Sequence, residues 1–583
     1  MCGIAGWFGS RGRWDAEVWR EGLSRRGPDG SGIWQSDNAT LVHTRLAVIG
    51  LGDQGAQPMA CVPTGGKDGS DVVLVFNGEI YNYRELGCPD EASDTAALLQ
   101  LLESEGEACL PKLAGMFAFA FYRPEAGEAL LARDAFGIKP LYYRIDDGTL
   151  AFASQSRLLR REGDPVDAGA VRDFFLWGSV PEPATLNGKI RQIPAGHCLR
   201  WKDGRAEIVR WYAPELRKHR AMPRDEAVRR TRGALEESML RHLVSDVPVG
   251  VFLSGGLDST AVLALARQQL GAAAELRTFS IGFEDPVFDE SAIARRTAQH
   301  FGARHTEWCM TTEEGASEIR EYLAAIDQPT IDGFNTWCVC KLARRASVKV
   351  VLSGLGGDEW FAGYGSFVRV PQMKRLHKAL PAPLRRLAAA FCGGASPGSP
   401  RRRLHEFLRG DGNWLQAFHA MRGVFTPEEA MELAKTFSGV RPPDPDWANG
   451  ELPDHDAAIA GWMETTRYMR NQLLRDSDVF SMAQGIELRV PLVDIRLAEA
   501  LLELPPEFRL EQGKRLLIDA VPEIPEWVRS RPKKGFVFPF ARWMDSALAE
   551  MLEETRGASP VPLATWYRTW ALAVGARALR GVG

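Results

Sequence analysis

Two patterns of apolar and polar positions divide the chain. Up to about residue 205, short apolar runs alternate with turn signals: His43 to Ile49 and Val72 to Phe76 read as strands, Arg25 to Gly30 as a tight turn, and Asp203-Gly204 as a hairpin turn. From about residue 226 the period changes. AVRRTRGALEESMLRHL predicts a helix, and GVFL, LRTFSIGF and VKVVL predict buried strands set between helical stretches. That succession predicts a mostly parallel sheet covered by helices on both faces, with ligand at the strand C-termini. Between the two patterns, Ala213 to Glu226 is charged and carries prolines, as a linker does. Beyond about Trp543 only a helical tail is expected.

The most informative stretch runs from Val249 to Ala266. Val249, Val251, Phe252 and Leu253 suit a buried strand, Ser254-Gly255-Gly256-Leu257-Asp258-Ser259 is a small-residue turn, and an apolar-periodic helix follows. Adjacent glycines let backbone N–H groups crowd around an anion at a helix N-terminus, and Ser254, Ser259 and Thr260 add hydroxyl donors. Asp258 would repel phosphate unless a cation bridged them, which implies Mg²⁺. No lysine follows the second glycine, so the loop is not a Walker A sequence. SGGLDST instead resembles the pyrophosphate loop of ATP pyrophosphatases, which cleave ATP between its α and β phosphates.

Composition narrows the class. At 583 residues the chain exceeds one core, so two large domains are the expectation, and 45% apolar with 25% charged residues is ordinary for a globular protein. A net charge of −4 gives no case for a nucleic-acid partner. No run of 18 apolar residues and no signal-peptide pattern is present, so neither a membrane partner nor export is expected and the location expected is the cytoplasm. Nine cysteines without CxxC pairing read as free thiols, and Cys338-Val339-Cys340 has no second cluster that would make a metal site.

Cys2 is the unusual cysteine. Removal of Met1 would leave thiol and α-amine on one residue, and an amine with a pKa near ~7.7 can take the thiol proton. Asn77 and Gly78 can offer an amide and a backbone N–H to an oxyanion, Arg45 can pair with a carboxylate and Asp94 with an ammonium. Taken singly these are weaker signals, since NG also makes hairpin turns and Asp94 also suits a helix N-cap.

MCGIAG, RRGPDGSG, HTRLAVIG, VFNGEIYN, SDTAALL, GMFAFAFY, LARDAFGIKPLYY and FASQSRLL, in that order, resemble class II glutamine amidotransferase domains. The resemblance implies a four-layer αββα Ntn-hydrolase fold of α+β class that turns glutamine into glutamate and ammonia. It also implies Cys2 as nucleophile, Asn77 and Gly78 as oxyanion hole, and Arg45, Glu79 and Asp94 as glutamine binders.

Three loops of the second part, SGGLDS, GFEDPVFDE and SGLGGDEWFAGY, are expected to converge on one nucleotide. Asp358 with Asp258 gives two carboxylates suited to Mg²⁺, and Leu253 and Ile281 flank the loops where adenine would lie. With RDSDVFSMAQGIELRVPLVD and RPKKGFVFPFARW, the region from about 226 to 545 resembles the α/β adenylating domain of glutamine-dependent asparagine synthetases. That resemblance implies ATP contacts from Ser353 and Gly354, a charge-neutralising Lys533, and Asp478 in the helical wall of the site. One position departs: Leu355 stands where asparagine synthetases typically carry Glu, so either Glu359 or Asp332 substitutes or the acceptor is a carboxylic acid other than aspartate.

The division expected is 1–205 glutaminase, 206–225 linker and 226–583 ATP-dependent amide-forming domain. The expected substrates are glutamine, ATP and a small carboxylic acid. An adenylating cyclase of the β-lactam or lasso-peptide type is the competing reading, against which Cys2 and its partners count. The oligomer is left open, a homodimer being one form.

Overall fold

The structure is a computed structural model that describes every residue except 1, 10–13, 62–71, 88–92, 218, 395–398, 533–534, 536–537, 558 and 581–583. Twelve strands build the N-terminal part: β1 (Cys2–Phe8), β2 (Gly30–Gln35), β3 (Ala39–Arg45), β4 (Met59–Cys61), β5 (Val72–Ile80), β6 (Gly115–Arg123), β7 (Glu128–Arg133), β8 (Tyr142–Asp146), β9 (Thr149–Ala153), β10 (Arg191–Gln192), β11 (His197–Lys202) and β12 (Arg205–Arg210). They form two six-stranded antiparallel sheets, ordered β10-β8-β9-β1-β3-β2 and β12-β11-β7-β6-β5-β4.

Alternation along single strands explains the layering. In β1, Ile4 and Phe8 enter the core between the sheets while Ala5 and Trp7 face the helix Ala16–Leu23 on the outside. In β5, Val73 and Val75 point into the sandwich, and Val72, Leu74 and Phe76 pack under the helix Asp94–Glu105. The result is helix, sheet, sheet, helix, the αββα α+β arrangement expected from the sequence.

The C-terminal part holds a parallel sheet of β13 (Val249–Phe252), β14 (Arg277–Phe283), β15 (Arg304–Met310), β16 (Val350–Leu352) and β17 (Glu487–Arg489), ordered β15-β14-β13-β16-β17. Helices such as Leu257–Leu270 and Phe334–Arg345 cover it, as an α/β fold requires. β15 and β17 escape the sequence pattern. RHTEWCM places polar residues along an edge strand, and β17 is only three residues long.

Several boundaries differ from expectation. β12 pairs with β11 from Arg205 to Arg210, so Asp203-Gly204 turns a hairpin and the sheet runs past 205. The strand read from His43 to Ile49 is instead Ala39–Arg45, and the strand read from Val72 to Phe76 runs on to Ile80, with Asn77-Gly78 inside it. Cys338 and Cys340 are both buried on one helix, which is packed on more than one face. The C-terminal helix Trp566–Arg580 is no loose tail: Trp570 is 1% exposed and joins the main core.

That main core crosses from one part to the other. Leu46, Met116, Phe136 and Ile138 of the sandwich share one apolar cluster with Trp360, Met482, Ile486 and Leu488 of the parallel-sheet part.

Candidate active sites

The first site lies where β1 and β5 face each other. The Cys2 backbone nitrogen donates to Asn77 Oδ1 at 3.0 Å, and Cys2 is the cross-strand neighbour of Arg45. Asn77 Nδ2 is buried and has no hydrogen-bond partner among the described residues, so a donor costly to leave unpaired points into this space. Gly78 adopts φ +154°, and a Cβ there would sit 2.0 Å from the Met116 carbonyl oxygen, so no larger residue fits.

Asp94 is not the N-cap; Ser93 is, accepting from the Ala96 N–H at 3.2 Å. This leaves the Asp94 carboxylate to accept from the Ile80 N–H at 3.1 Å, which ties it to the end of β5. Burial raises Asp94 to about 6, against the pull of the Ile80 and Thr95 N–H groups. Glu79 is pushed well above the carboxylate range by burial and by the neighbouring Glu487 and Asp94. Arg45 donates to the carbonyls of Gly50 and of Gly52, the latter at 2.8 Å. Burial raises the Cys2 thiol, opposed by the positive charge of the chain N-terminus.

The second site lies at the C-terminal ends of β13, β14 and β16. A cavity of about 310 Å³ is lined by Leu253, Ser254, Asp258, Ser259, Ile281, Ser353, Gly354 and Asp358, and an adjoining one by Gly255 and Gly256. Gly255 takes φ +72°, and a Cβ on Gly357 would come within 2.3 Å of Asp258 Oδ1, so the loops close through glycine alone.

Asp258 and Asp358 face each other across Lys514, whose Nζ pairs with both, at 2.6 Å from Asp358. Sequence reasoning did not find this lysine; EQGKR carries no signal beyond a turn. Lys514 holds a left-handed backbone, φ +57°, a strained geometry for a residue with a side chain. Lys533 lies outside the described residues.

Leu355 lines the cavity, and so do both acids proposed to replace the missing carboxylate. Burial, then the Asp358 charge, raises Glu359 to about 7, and it accepts from Tyr364 Oη at 2.9 Å. Asp332 is raised by burial and accepts from Tyr468 Oη at 3.4 Å.

Asp478 differs from expectation. Its helix, Arg475–Ala483, does wall the cavity through Asp476 and Ser477, yet Asp478 itself turns to the sandwich. It takes a two-pronged ion pair from Arg26 (2.8 and 3.1 Å) and another from Lys139 Nζ at 3.3 Å, all three buried. Arg26 also donates to the Cys2 carbonyl at 3.2 Å. Burial alone would raise Asp478, but the two cations outweigh it and hold the carboxyl below its ordinary value.

β17 touches both sites. Leu488 lines the cavity of the glycine loop. On the opposite face, Arg489 pairs with Glu487 at 2.5 Å and approaches Glu79 at 3.8 Å. Burial works against the Glu487 charge, but the N-terminal charge and Arg489 prevail and hold it at about 2.

A cysteine-headed sandwich joined to a parallel sheet with a glycine loop and paired aspartates is the build of a glutamine-dependent amide-forming enzyme. Two family profiles match: glutamine amidotransferase domain over residues 1–212 and asparagine synthase over residues 230–578. The chain therefore belongs to the asparagine synthase family, carbon–nitrogen ligases with glutamine as amido donor. It is 33% identical to a putative glutamine-hydrolysing asparagine synthetase of Mycobacterium tuberculosis, over 94% of this chain and 88% of that protein. Asparagine synthetase 1 of Bacillus subtilis is 29% identical over 91% and 84%, and asparagine synthetase B of Escherichia coli 34% over 61% and 62%. Among the described residues no helix is long and apolar enough to cross a membrane.

Proposed function

We propose that the protein hydrolyses glutamine at Cys2, passes ammonia through its interior and uses ATP to amidate a carboxylic acid, releasing AMP and pyrophosphate. The observation that carries this reading is β17, one strand with Leu488 on the cavity of the glycine loop and Glu487 and Arg489 on the glutamine side.

In the first half-reaction the Cys2 sulfur attacks the glutamine carboxamide carbon, and the oxyanion takes the free Asn77 N–H and the Gly78 N–H. Once Met1 is removed, the nitrogen now 3.0 Å from Asn77 Oδ1 is the α-amine that moves the thiol proton to the departing ammonia. Water then cleaves the thioester to glutamate. Arg45 is the partner for the substrate carboxylate and Asp94 the charged partner for its ammonium, with Glu79 beside it able to accept a hydrogen bond.

In the second half-reaction an acceptor carboxylate oxygen attacks the α-phosphorus of ATP, the α–β bridge breaks and pyrophosphate leaves. Ser254, Gly255, Gly256, Ser259, Ser353 and Gly354 supply donors to the phosphates, and Leu253 and Ile281 apolar surface to the base. Asp258 and Asp358 fit a divalent cation, since their oxygens already share one cation, the Lys514 ammonium. Among the described residues no three potential ligands cluster, so phosphate and water oxygens would complete the shell, as Mg²⁺ favours. Bound there, Mg²⁺ would neutralise charge on the phosphates. Ammonia then attacks the acyl carbon, AMP leaves, and Glu359, near 7, accepts the released proton in place of the acid absent at Leu355.

Ammonia in water at neutral pH is mostly ammonium and no nucleophile, so the apolar cluster shared by the two parts is the medium that keeps it reactive. The test is product analysis with each candidate acid: glutamate, AMP and pyrophosphate formed in equal amounts support the reading, and glutamate without pyrophosphate for any acid refutes it.

A further inference from the structure

A second cavity, of about 320 Å³, opens beside the nucleotide cavity and shares Asp332 and Asn335 with it. Volumes of roughly 300–1,000 Å³ hold ligands well above the size of a four-carbon amino acid. One wall is aromatic: Phe538 stands 4.8 Å from Phe334, and Phe540 stacks on Trp566 at 5.4 Å, while Trp177 and Phe418 also line the cavity. Two of these rings, Phe538 and Phe540, belong to the FPF of RPKKGFVFPFARW and have no role in the reaction described above.

Two arginines also line this cavity, and they differ. Arg422 is spent: it pairs with Glu464 at 2.7 and 3.0 Å and lies over the Tyr364 and Tyr468 rings. Arg467 makes no ion pair and no side-chain hydrogen bond among the described residues, although it is half-buried. The carboxylates nearest it, Asp173 first and then Asp446, act on it without a direct ion pair, and a half-buried guanidinium whose N–H groups are not taken up by the protein can still receive an anion from outside.

We infer that this cavity receives the body of the amide acceptor, and that the acceptor is a dicarboxylic acid with an aromatic or bulky apolar substituent rather than aspartate. The inference rests on the amidation reading above. One carboxylate lies at the shared edge by Asp332 and Asn335, within reach of the nucleotide; the substituent lies among the rings; the second carboxylate pairs with Arg467. Leu355 lines the adjoining cavity of the glycine loop, and its apolar side chain there is compatible with an acceptor other than aspartate.

The test uses the full chain with three probes, L-aspartate, succinate and 2-benzylsuccinate, and reads two quantities: binding by calorimetry without ATP, and pyrophosphate release with ATP. Burying the phenyl group is expected to tighten 2-benzylsuccinate over succinate by roughly tenfold to a hundredfold. Arg467→Gln is expected to weaken 2-benzylsuccinate by about tenfold and Arg467→Lys to recover most of that, a rescue that loss of packing alone would not give. Equal binding of succinate and 2-benzylsuccinate, with pyrophosphate released for aspartate, overturns the cavity assignment and leaves the amidation reading standing. Tight, Arg467-dependent binding of 2-benzylsuccinate with no pyrophosphate for any acid overturns the amidation reading and leaves the cavity assignment standing. Failure of both measurements overturns both.

Discussion

The two sites are built in opposite ways. Around Cys2, the functional groups come from β1, β3 and β5, strands interior to the two sheets, and from the first turn of the helix Asp94–Glu105, and the geometry is fixed before any ligand arrives: Asn77 is bonded to the Cys2 nitrogen, and Asp94 to the end of β5. At the other end, the groups sit on loops at the strand ends, and Asp258 and Asp358 are held by a lysine that a metal and a nucleotide would have to displace. The contrast suits the proposed chemistry. Thioester formation needs a pre-set nucleophile, whereas adenylation must admit, close on and release a large charged substrate.

The sharpest way to separate the sites is Cys2→Ala. Glutamine-supported amidation is expected to fall by about 10⁴-fold or more while ammonium salts still support product. Loss of both would mean the sites are not separable. Lys514→Met probes the other side. Pyrophosphate release is expected to drop by about 10²-fold with glutamate formation within about twofold of the parent, measured in parallel assays. A full-rate variant would show that Lys514 only fills space between the acids.

Asp478→Asn attacks the junction. It leaves Arg26 and Lys139 buried without their counter-charge, and the expected cost is about 3–5 kcal/mol, read from urea unfolding. A loss under about 1 kcal/mol would remove this cluster as a tie between the two parts.

The smallest effect is in pH dependence. Asp94 must be ionised to hold an ammonium, and burial puts it at about 6, so kcat/KM for glutamine falls as pH drops through that value. The catalytic amine, near ~7.7, imposes one tenfold loss per pH unit below it. Below about 6 the logarithmic slope should therefore steepen from one to two, and Asp94→Asn, though weaker overall, should keep a slope of one. A wild-type slope that stays at one would take Asp94 out of glutamine binding.

Much of both sites was legible in the chain because the residues are local. The glycine loop, Ser353-Gly354, Asn77-Gly78 and Cys2 each sit in a short stretch whose pattern announces strand, turn and helix. What stayed hidden is whatever depends on distant stretches meeting. Arg26, Lys139 and Asp478 are scattered along the sequence, and a buried arginine looks like a surface one until its partner is known. Lys514 reaches Asp258 from 256 positions away. That the strand of Val72 runs on through Asn77-Gly78 to Ile80 was not legible, because nothing local shows that Met116 closes the space above Gly78. β15 and β17 were lost for different reasons: one has the polarity of an edge, the other is shorter than any periodicity can register.

β17 sets a limit on modularity. Because its alternate residues serve opposite sides, adding or deleting one residue within 487–489 would exchange the faces, sending Leu488 toward the glutamine pocket and a charge toward the nucleotide. The glutamine-splitting half cannot then be grafted onto a foreign ligase by cutting at the linker alone. Such a chimera would have to bring this short strand along, in register, or its halves would fold side by side without cooperating.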